Sequence, residues 1–215
     1  MSRVAYIDFD GTLSDCTQRI YKLFAELAAD KNLSYEQYWN LRRQGNRQVS
    51  MLTKLYGYDK EKTAEFKKKW LEQIEQTRWL NEDKPIKGAA ELLQYLAENS
   101  WNRVLLTNRQ SEQHLMQQLQ TYGWQAEFEK VLVTKQRCSK LQLLKNFEKE
   151  SDLISKVMIY IGDSIEDIRT AQEQRIPVIA VRSNLERWDE ILQYQPDYSV
   201  QTLGEIVQIL NQWEE

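Results

Sequence analysis

The start of the chain decides its fold, because residues 4–13 read VAYIDFDGTL. Residues 4–9 form a short run rich in apolar and aromatic side chains, which is typical of a buried strand. Asp8 and Asp10 follow two positions apart, and Gly11 then permits a turn. Carboxylates held this close repel each other unless a cation or a proton is shared. The stretch therefore predicts a buried strand that ends in an acidic metal site, with an ordinary acidic turn as the alternative.

Further strand-like runs recur along the chain, separated by stretches of helical periodicity; they cover residues 104–107, 131–134, 157–161 and 178–181. Strands that alternate with helices are typical of a parallel sheet covered on both faces. We therefore predict an α/β fold with a doubly wound parallel sheet. Ligands of such sheets bind at the carboxyl edge, so the residues that directly follow the strands are the candidates for chemistry.

The strand pattern is interrupted once, between Asp15 and about Lys84, where apolar residues recur at helical spacing. This predicts a core domain of residues 1–15 and 85–215 with an inserted helical cap domain of residues 16–84. Within the cap, Ser34 with Gln37 three residues later predicts the capped start of a helix.

The composition restricts the class of partner. The 215 residues carry a formal net charge of −3, which gives no long-range attraction for polyanions, so general nucleic-acid binding is not expected. Cys16 and Cys138 have no motif spacing, which suits a reducing cytosol. The first apolar run is too short for a signal peptide, and no run of eighteen apolar residues predicts a membrane span. We expect a cytoplasmic protein; the oligomeric state is not encoded in any pattern we recognise.

A second acidic stretch follows the strand at residues 157–161, where residues 159–167 read IYIGDSIED. Asp163 at the strand end and Asp167 at the start of the next helix are expected to point to the same sheet edge as Asp8. Carboxylates with no neighbouring His or Cys make a hard oxygen site that suits Mg²⁺ rather than zinc. The alternatives are that Asp163 caps the helix and that Asp167 and Glu166 only favour its dipole.

Polar side chains between these stretches are suited to bind phosphate. Thr107 and Asn108 end the second strand, where a hydroxyl and an amide can donate hydrogen bonds to phosphate oxygens, although Thr107 could equally cap the next helix. Lys140 opens an amphipathic helix and can neutralise the charge of a nucleophile and a phosphate, although a lone lysine is more often solvated. Lys135, five residues earlier, is a competitor for that role.

These residues occur in a specific order: DxDGTL, a strand-end threonine, a lysine, and then GDSxxD. The set resembles the four motifs of the haloacid dehalogenase superfamily, phosphatase branch, over nearly the whole chain. The helical insertion is similar to the cap of the phosphoglycolate phosphatase and β-phosphoglucomutase-like group. One departure is Leu141 after the lysine, where many of these phosphatases have proline.

The resemblance implies Mg²⁺-dependent hydrolysis of a small phosphorylated metabolite. Asp8 would attack phosphorus and become an aspartyl phosphate, while Asp10 would protonate the leaving oxygen and then activate water. Thr107 and Lys140 would bind the transferring phosphoryl group. The implied metal ligands are Asp8, the backbone carbonyl of Asp10 and Asp163, with Asp167 binding the metal directly or through water.

The substrate is not encoded in these motifs. Residues 39–48 of the cap are rich in donors, so Arg43 and Arg47 are candidates to bind a second group of the substrate; a solvated helix end with Trp39 packed in the cap is the alternative. A sugar phosphomutase would keep every core residue, and a non-catalytic binding protein could also retain the fold. Dehalogenation is not expected, since dehalogenases of this superfamily generally lack the second aspartate.

Overall fold

The computed structural model describes residues 3–150, 157–183, 185 and 187–213. Six strands form one sheet: β1 (Arg3–Ile7), β4 (Trp101–Thr107), β5 (Lys130–Val133), β6 (Val157–Gly162), β7 (Val178–Val181) and β8 (Tyr198–Val200). Two short strands, β2 (Ser14–Asp15) and β3 (Lys84–Pro85), pair antiparallel with each other. Five strands match the runs predicted from sequence, and β8 is an addition that the sequence reading missed.

The large sheet has the strand order β5-β4-β1-β6-β7-β8, and its neighbouring strands are parallel. β1 therefore lies between β4 and β6, with Ile7 in register with Leu105 and Ile161. This arrangement confirms the predicted doubly wound parallel sheet. It also brings the residues that follow β1, β4 and β6 to one edge.

Helices cover both faces of the sheet. One face packs against α6 (Ala89–Glu98), α7 (Glu112–Tyr122) and α11 (Leu203–Gln212), and the other packs against α8 (Lys140–Glu150), α9 (Ile165–Gln174) and α10 (Trp188–Gln193). Alternate residues of β1 enter these two apolar cores, Ala5 and Ile7 on one side and Val4 and Tyr6 on the other, as the two-residue period of a strand requires. Within the described residues, no helix combines the length and the hydropathy that crossing a membrane would need.

The segment between β2 and β3 is helical. It contains α1 (Thr17–Leu27), α2 (Tyr35–Arg43), α3 (Gln48–Tyr56), α4 (Lys60–Gln73) and α5 (Thr77–Leu80). Ser34 and Gln37 form the predicted capping box at the start of α2. These helices enclose an aromatic cluster of their own, in which Trp39 is 2% exposed. The division into core and cap domains at residues 16 and 84 stays a prediction.

Candidate active site

The candidate site lies where three adjacent strands end. Asp8 directly follows β1, Thr107 is the last residue of β4, and Asp163 directly follows β6. The turn after Asp8 needs Gly11, whose φ is +91° and where a Cβ atom would collide with the Asp163 carboxylate. The parallel topology thus places both acidic stretches predicted from sequence at one sheet edge.

Three carboxylates form the centre of this site, which we call the acidic cluster: Asp8, Asp163 and Asp167. Each offers an oxygen within 4.8 Å of the other two, and all three residues are buried. Lys140, 2% exposed, donates to Asp8 Oδ1 at 2.5 Å and to Asp167 Oδ1 at 2.7 Å. A single ammonium group therefore faces three carboxylates.

This imbalance of charge is visible in the pKa values. Burial raises the pKa of Asp8 to about 7, and Lys140 offsets only part of this effect. Burial, followed by the nearby charges of Asp8 and Asp167, raises the pKa of Asp163 well above its usual range. For Lys140, burial lowers the pKa but the attraction of Asp167 and Asp8 outweighs it, so the ammonium stays charged. When all three carboxylates are ionised, their negative charge exceeds the single positive charge of Lys140.

The acidic cluster fits a divalent cation. Its donors are hard carboxylate oxygens that lie close enough to share one ion, and an ion there would offset both the burial and the mutual repulsion that raise the pKa values of Asp8 and Asp163. Thr12 Oγ1 lies 3.3 Å from Asp163 Oδ1 and 3.5 Å from Asp8 Oδ2, so its one hydrogen can be donated to either carboxylate. The hydroxyl group thus contacts two of the three carboxylates.

The second acidic stretch also builds the start of α9. Ser164 is the N-cap residue and forms a capping box with Asp167, so the alternative that Asp163 caps this helix is wrong. Asp167 Oδ2 accepts from the Ser164 backbone NH at 3.1 Å and from its hydroxyl at 2.6 Å, while Oδ1 accepts from Tyr160 at 2.9 Å and from Lys140. These contacts hold the Asp167 carboxylate in place. Asp167 therefore stabilises the start of α9 and at the same time belongs to the acidic cluster.

Asp10 lies apart from the acidic cluster and contacts two arginines. Arg19 Nη2 donates to Asp10 Oδ1 at 2.5 Å, Arg109 Nη2 donates to the same oxygen at 2.8 Å, and Arg109 Nε donates to Oδ2. Burial would raise the pKa of Asp10, but Arg109 and Arg19 outweigh it and hold the pKa at about 2. Asp10 is therefore ionised at neutral pH, with both oxygens bound.

A fourth group completes this arrangement, which we call the arginine clamp: Asp10, Arg19, Asp83 and Arg109. Asp83 Oδ1 accepts from Arg19 Nε at 3.0 Å and Asp83 Oδ2 lies 3.4 Å from Arg109 Nη2. Burial, partly offset by Arg19, raises the pKa of Asp83 to about 6. The clamp has two guanidinium groups and two carboxyl groups, so its charges balance.

The predicted phosphate-binding residues lie at the site edge. Thr107 is 1% exposed, and Ser111 rather than Thr107 caps α7. Asn108 donates through Nδ2 to Glu166 at 2.7 Å and accepts from Thr134 at 3.2 Å. Glu166 also accepts from the backbone NH of Lys140 at 3.2 Å, which joins the end of β4 to the start of α8. Phosphate binding by Thr107 and Asn108 stays a prediction.

The two candidate lysines differ clearly. Lys140 is buried against Asp8, so a solvated surface position is wrong for it. Lys135 is exposed and pairs with Glu112 at 2.8 Å. The geometry therefore places Lys140, and not Lys135, beside the acidic cluster.

The predicted substrate-binding residues of the helical segment are exposed. Arg43 donates to Asn40 at 2.7 Å, and Arg47 is the N-cap residue of α3. Their neighbour Arg42 instead donates to the backbone oxygen of Leu185, in the loop after β7, at 3.5 Å. A role of Arg43 and Arg47 in substrate binding stays a prediction.

The arginine clamp is the part of the site that sequence reasoning missed. Arg109 follows Thr107 and Asn108, so its position at the sheet edge was a usable signal. Arg19 and Asp83 lie 64 positions apart at opposite ends of the helical segment, and no spacing rule connects them. The pairing of β2 with β3 brings the two ends of this segment together, and strands of two residues give no recognisable sequence pattern.

The fold and the acidic cluster together define an enzyme class. The family model described as haloacid dehalogenase-like hydrolase matches residues 6–181, so the chain is an enzyme of that family and the resemblance drawn from its motifs is confirmed. No curated protein matches the chain in sequence.

Several solved structures share the fold of this chain. The chain is similar to a candidate phosphatase from Clostridium difficile (20% identity, TM-score 0.81, covering 97% of this chain and 98% of that one). It is also similar to a predicted phosphoglycolate phosphatase from Haemophilus somnus (19%, TM-score 0.77, 97% and 98%) and to a candidate β-phosphoglucomutase from Thermotoga maritima (17%, TM-score 0.69, 99% of both). At these identities the likeness concerns the fold.

Proposed function

We propose that the protein is a Mg²⁺-dependent phosphatase that hydrolyses a small phosphorylated metabolite through an aspartyl phosphate on Asp8. The observation that carries the proposal is the position of Asp8: it is buried at the end of the central strand, 2.5 Å from Lys140 and within the acidic cluster. A carboxylate nucleophile splits one difficult displacement into two easier ones. Two structural neighbours that are named as phosphatases support this reaction.

Asp8, Asp163 and Asp167 would hold the metal ion, together with the backbone carbonyl of Asp10. When bound, Mg²⁺ supplies positive charge against the phosphoryl oxygens. Lys140 stays charged beside Asp8 and would neutralise the same group from the other side. Thr107 and Asn108, at the end of β4, would bind the remaining phosphoryl oxygens. Positioning and charge neutralisation are the main sources of catalysis in phosphoryl transfer.

The first step forms a bond between an Asp8 oxygen and phosphorus and breaks the bond to the leaving oxygen. In the second step, water attacks phosphorus, the bond to Asp8 breaks with its electron pair returning to the carboxylate, and Asp10 accepts the proton of the water. The ionised state of Asp10 suits the second step directly. In the first step Asp10 would have to carry a proton for the leaving oxygen, and Arg109 and Arg19 oppose that protonation.

Phosphate release from a panel of aryl, sugar, nucleotide and glycolate phosphates, with and without Mg²⁺, tests this function. We expect metal-dependent release by the wild-type protein and none above background for Asp8→Asn. Release that survives Asp8→Asn would remove Asp8 as the nucleophile. We propose in addition that residues 16–84 act as a cap over this site, and the panel would rank the substrates that it admits.

A phosphomutase is the second candidate, because one structural neighbour is named as a candidate β-phosphoglucomutase and every core residue would be shared. The two reactions differ in the acceptor of the phosphoryl group, which is water in one and a sugar phosphate in the other. Interconversion of two sugar phosphates with a bisphosphate activator, faster than phosphate release, would favour the mutase.

A further inference from the structure

The side chain of Arg19 reaches from the helical segment to a residue beside the candidate nucleophile. It lies on α1, is 4% exposed, and each of its nitrogen atoms has a partner. Nη2 contacts Asp10 Oδ1 at 2.5 Å, Nε contacts Asp83 Oδ1 at 3.0 Å, and Nη1 donates to the backbone oxygen of Ile74 at 3.1 Å. Since Ile74 and Asp83 lie near the end of the helical segment, Arg19 ties both ends of that segment to Asp10.

Asp10 is held from two sides. Arg19 approaches from the helical segment and Arg109 from the loop after β4. Arg109 is itself fixed by Gln118 at 2.9 Å and lies over the Phe9 ring, 5.4 Å from its centroid. Because both guanidinium groups have further anchors, the plane of the Asp10 carboxylate is set by the surrounding chain and not by Asp10 alone.

The clamp differs from a purely structural ion network in one respect. The Asp83 side chain is fully buried, whereas 24% of the Asp10 side chain is exposed. The four groups therefore open to solvent at Asp10, two residues after Asp8. A carboxylate that takes a proton from water needs both this access and a fixed direction.

We propose that Arg19 is a positioning residue that aims Asp10 at the water in the second step of the reaction. This inference rests on the proposed function and adds to it the residue that controls hydrolysis of the aspartyl phosphate. Water adds to phosphorus, the Asp8 oxygen leaves with the bonding pair, and the proton passes to Asp10. Lysine at position 19 keeps the charge but presents a point donor, which cannot reach Asp10, Asp83 and the Ile74 oxygen together.

The two steps are separated by p-nitrophenyl phosphate, whose leaving group departs without a proton. Its kcat/KM reports formation of the aspartyl phosphate, while slow hydrolysis lowers kcat and lets the phosphoenzyme accumulate. We expect Arg19→Lys to lower kcat about tenfold to a hundredfold, since small misplacements of a reacting group have effects of this size, and to change kcat/KM by less than about threefold. Acid-quenched samples should carry more protein-bound phosphate than the wild type.

Lys22→Ala is the matched control, because Lys22 lies on the same helix and forms an exposed pair with Glu82 at 2.7 Å. It should leave kcat, kcat/KM and phosphoenzyme level unchanged. Should Arg19→Lys fail to fold, Asp83→Asn loosens Arg19 with a side chain of equal size and should give the same pattern more weakly. Thermal unfolding verifies each fold.

Equal losses of kcat and kcat/KM, or no gain in phosphoenzyme, would show a merely structural Arg19 and overturn the inference while the proposed function stands. A wild-type protein that releases no phosphate from the full panel, or that releases it without Asp8, overturns the proposed function and this inference with it.

Discussion

Two buried clusters of charged side chains lie at the same sheet edge, and they differ in the balance of positive and negative charge. In the acidic cluster one ammonium group, from Lys140, faces three carboxylates. In the arginine clamp two guanidinium groups face two carboxyl groups. Asp8 and Asp10, two residues apart, belong to different groups.

The pKa values of these two aspartates move in opposite directions from the same usual value. Burial raises that of Asp8 to about 7, whereas the arginines hold that of Asp10 at about 2. Burial alone therefore does not decide the charge of a carboxyl group; the local balance of charges does. The acidic cluster has more negative than positive charge, so it favours binding of an added cation. The arginine clamp is balanced in charge, so its ion pairs hold its side chains in place.

We expect the largest effect from removal of the cation of the acidic cluster, Lys140. Lys140→Met should lower phosphate release about a hundredfold to a thousandfold, because a charge aimed at the phosphoryl group is lost. It should also destabilise the metal-free protein by about 3–5 kcal/mol, since Asp8 and Asp167 lose a buried ammonium partner. Mg²⁺ should recover much of the stability. Denaturant unfolding with and without Mg²⁺ measures this, and a loss of stability that Mg²⁺ cannot reduce would contradict the metal site.

In the arginine clamp, we expect the loss of stability on removal of a cation to be independent of Mg²⁺. Arg109→Met leaves Asp10 and Asp83 with one guanidinium group, so we expect a loss of about 3–5 kcal/mol whether or not Mg²⁺ is present. Arg78→Met is the control, because Arg78 and Glu26 form an exposed pair that should contribute little. Recovery of the Arg109 variant by Mg²⁺ would mean that the two groups are not independent.

A change of pH should sharpen the contrast through Asp8. Its raised pKa means that the folded metal-free protein binds this proton more tightly than the unfolded chain, so Asp8 makes the protein less stable as pH rises from about 4 to 7. A metal ion must displace the proton, so the apparent Mg²⁺ affinity should fall by at least about tenfold for each pH unit below 7, because the pKa of Asp163 is raised as well. Thermal shift titrations at several pH values measure the affinity. A constant affinity would show that Asp8 is not a ligand.

The smallest effect concerns the turn between the two groups. Gly11→Ala and Gly57→Ala both place a Cβ atom at positive φ, which costs about 1–2 kcal/mol in each case. Only the first meets the Asp163 carboxylate, whereas space around Gly57 is open. We expect Gly11→Ala alone to weaken Mg²⁺ binding, by about tenfold, as does a disturbed neighbour of a metal ligand. Equal Mg²⁺ affinities by calorimetry would refute that contact.

Asp8 and Asp163 were predictable members of the acidic cluster because each directly follows a strand. Alternating elements predict a parallel sheet and so place both at its carboxyl edge, and the pairing of β1 with β6 brings them together. Lys140 required a choice between two lysines, and the helical leucines after it favoured the correct neighbour of Asp8. The order of the family motifs also indicated Lys140.

The arginine clamp was less predictable because helix periodicity reveals which face is buried but not what a buried polar residue contacts. Arg19 lies on α1 next to apolar positions such as Leu23, and its charge suggests exposure rather than a partner 64 residues away. β8 was missed for a similar reason: three residues, two of them exposed, give too short a pattern.

The antiparallel pairing of Ser14 with Pro85 and of Asp15 with Lys84 has an evolutionary consequence. It brings the two ends of a long insertion side by side, so a different insertion could be grafted there without moving a strand of the large sheet. Such an exchange would remove Arg19 from Asp10 and leave the contact with Arg109, which lies outside the insertion. An exchange of the insertion would thus leave the large sheet in place but change the contacts of Asp10.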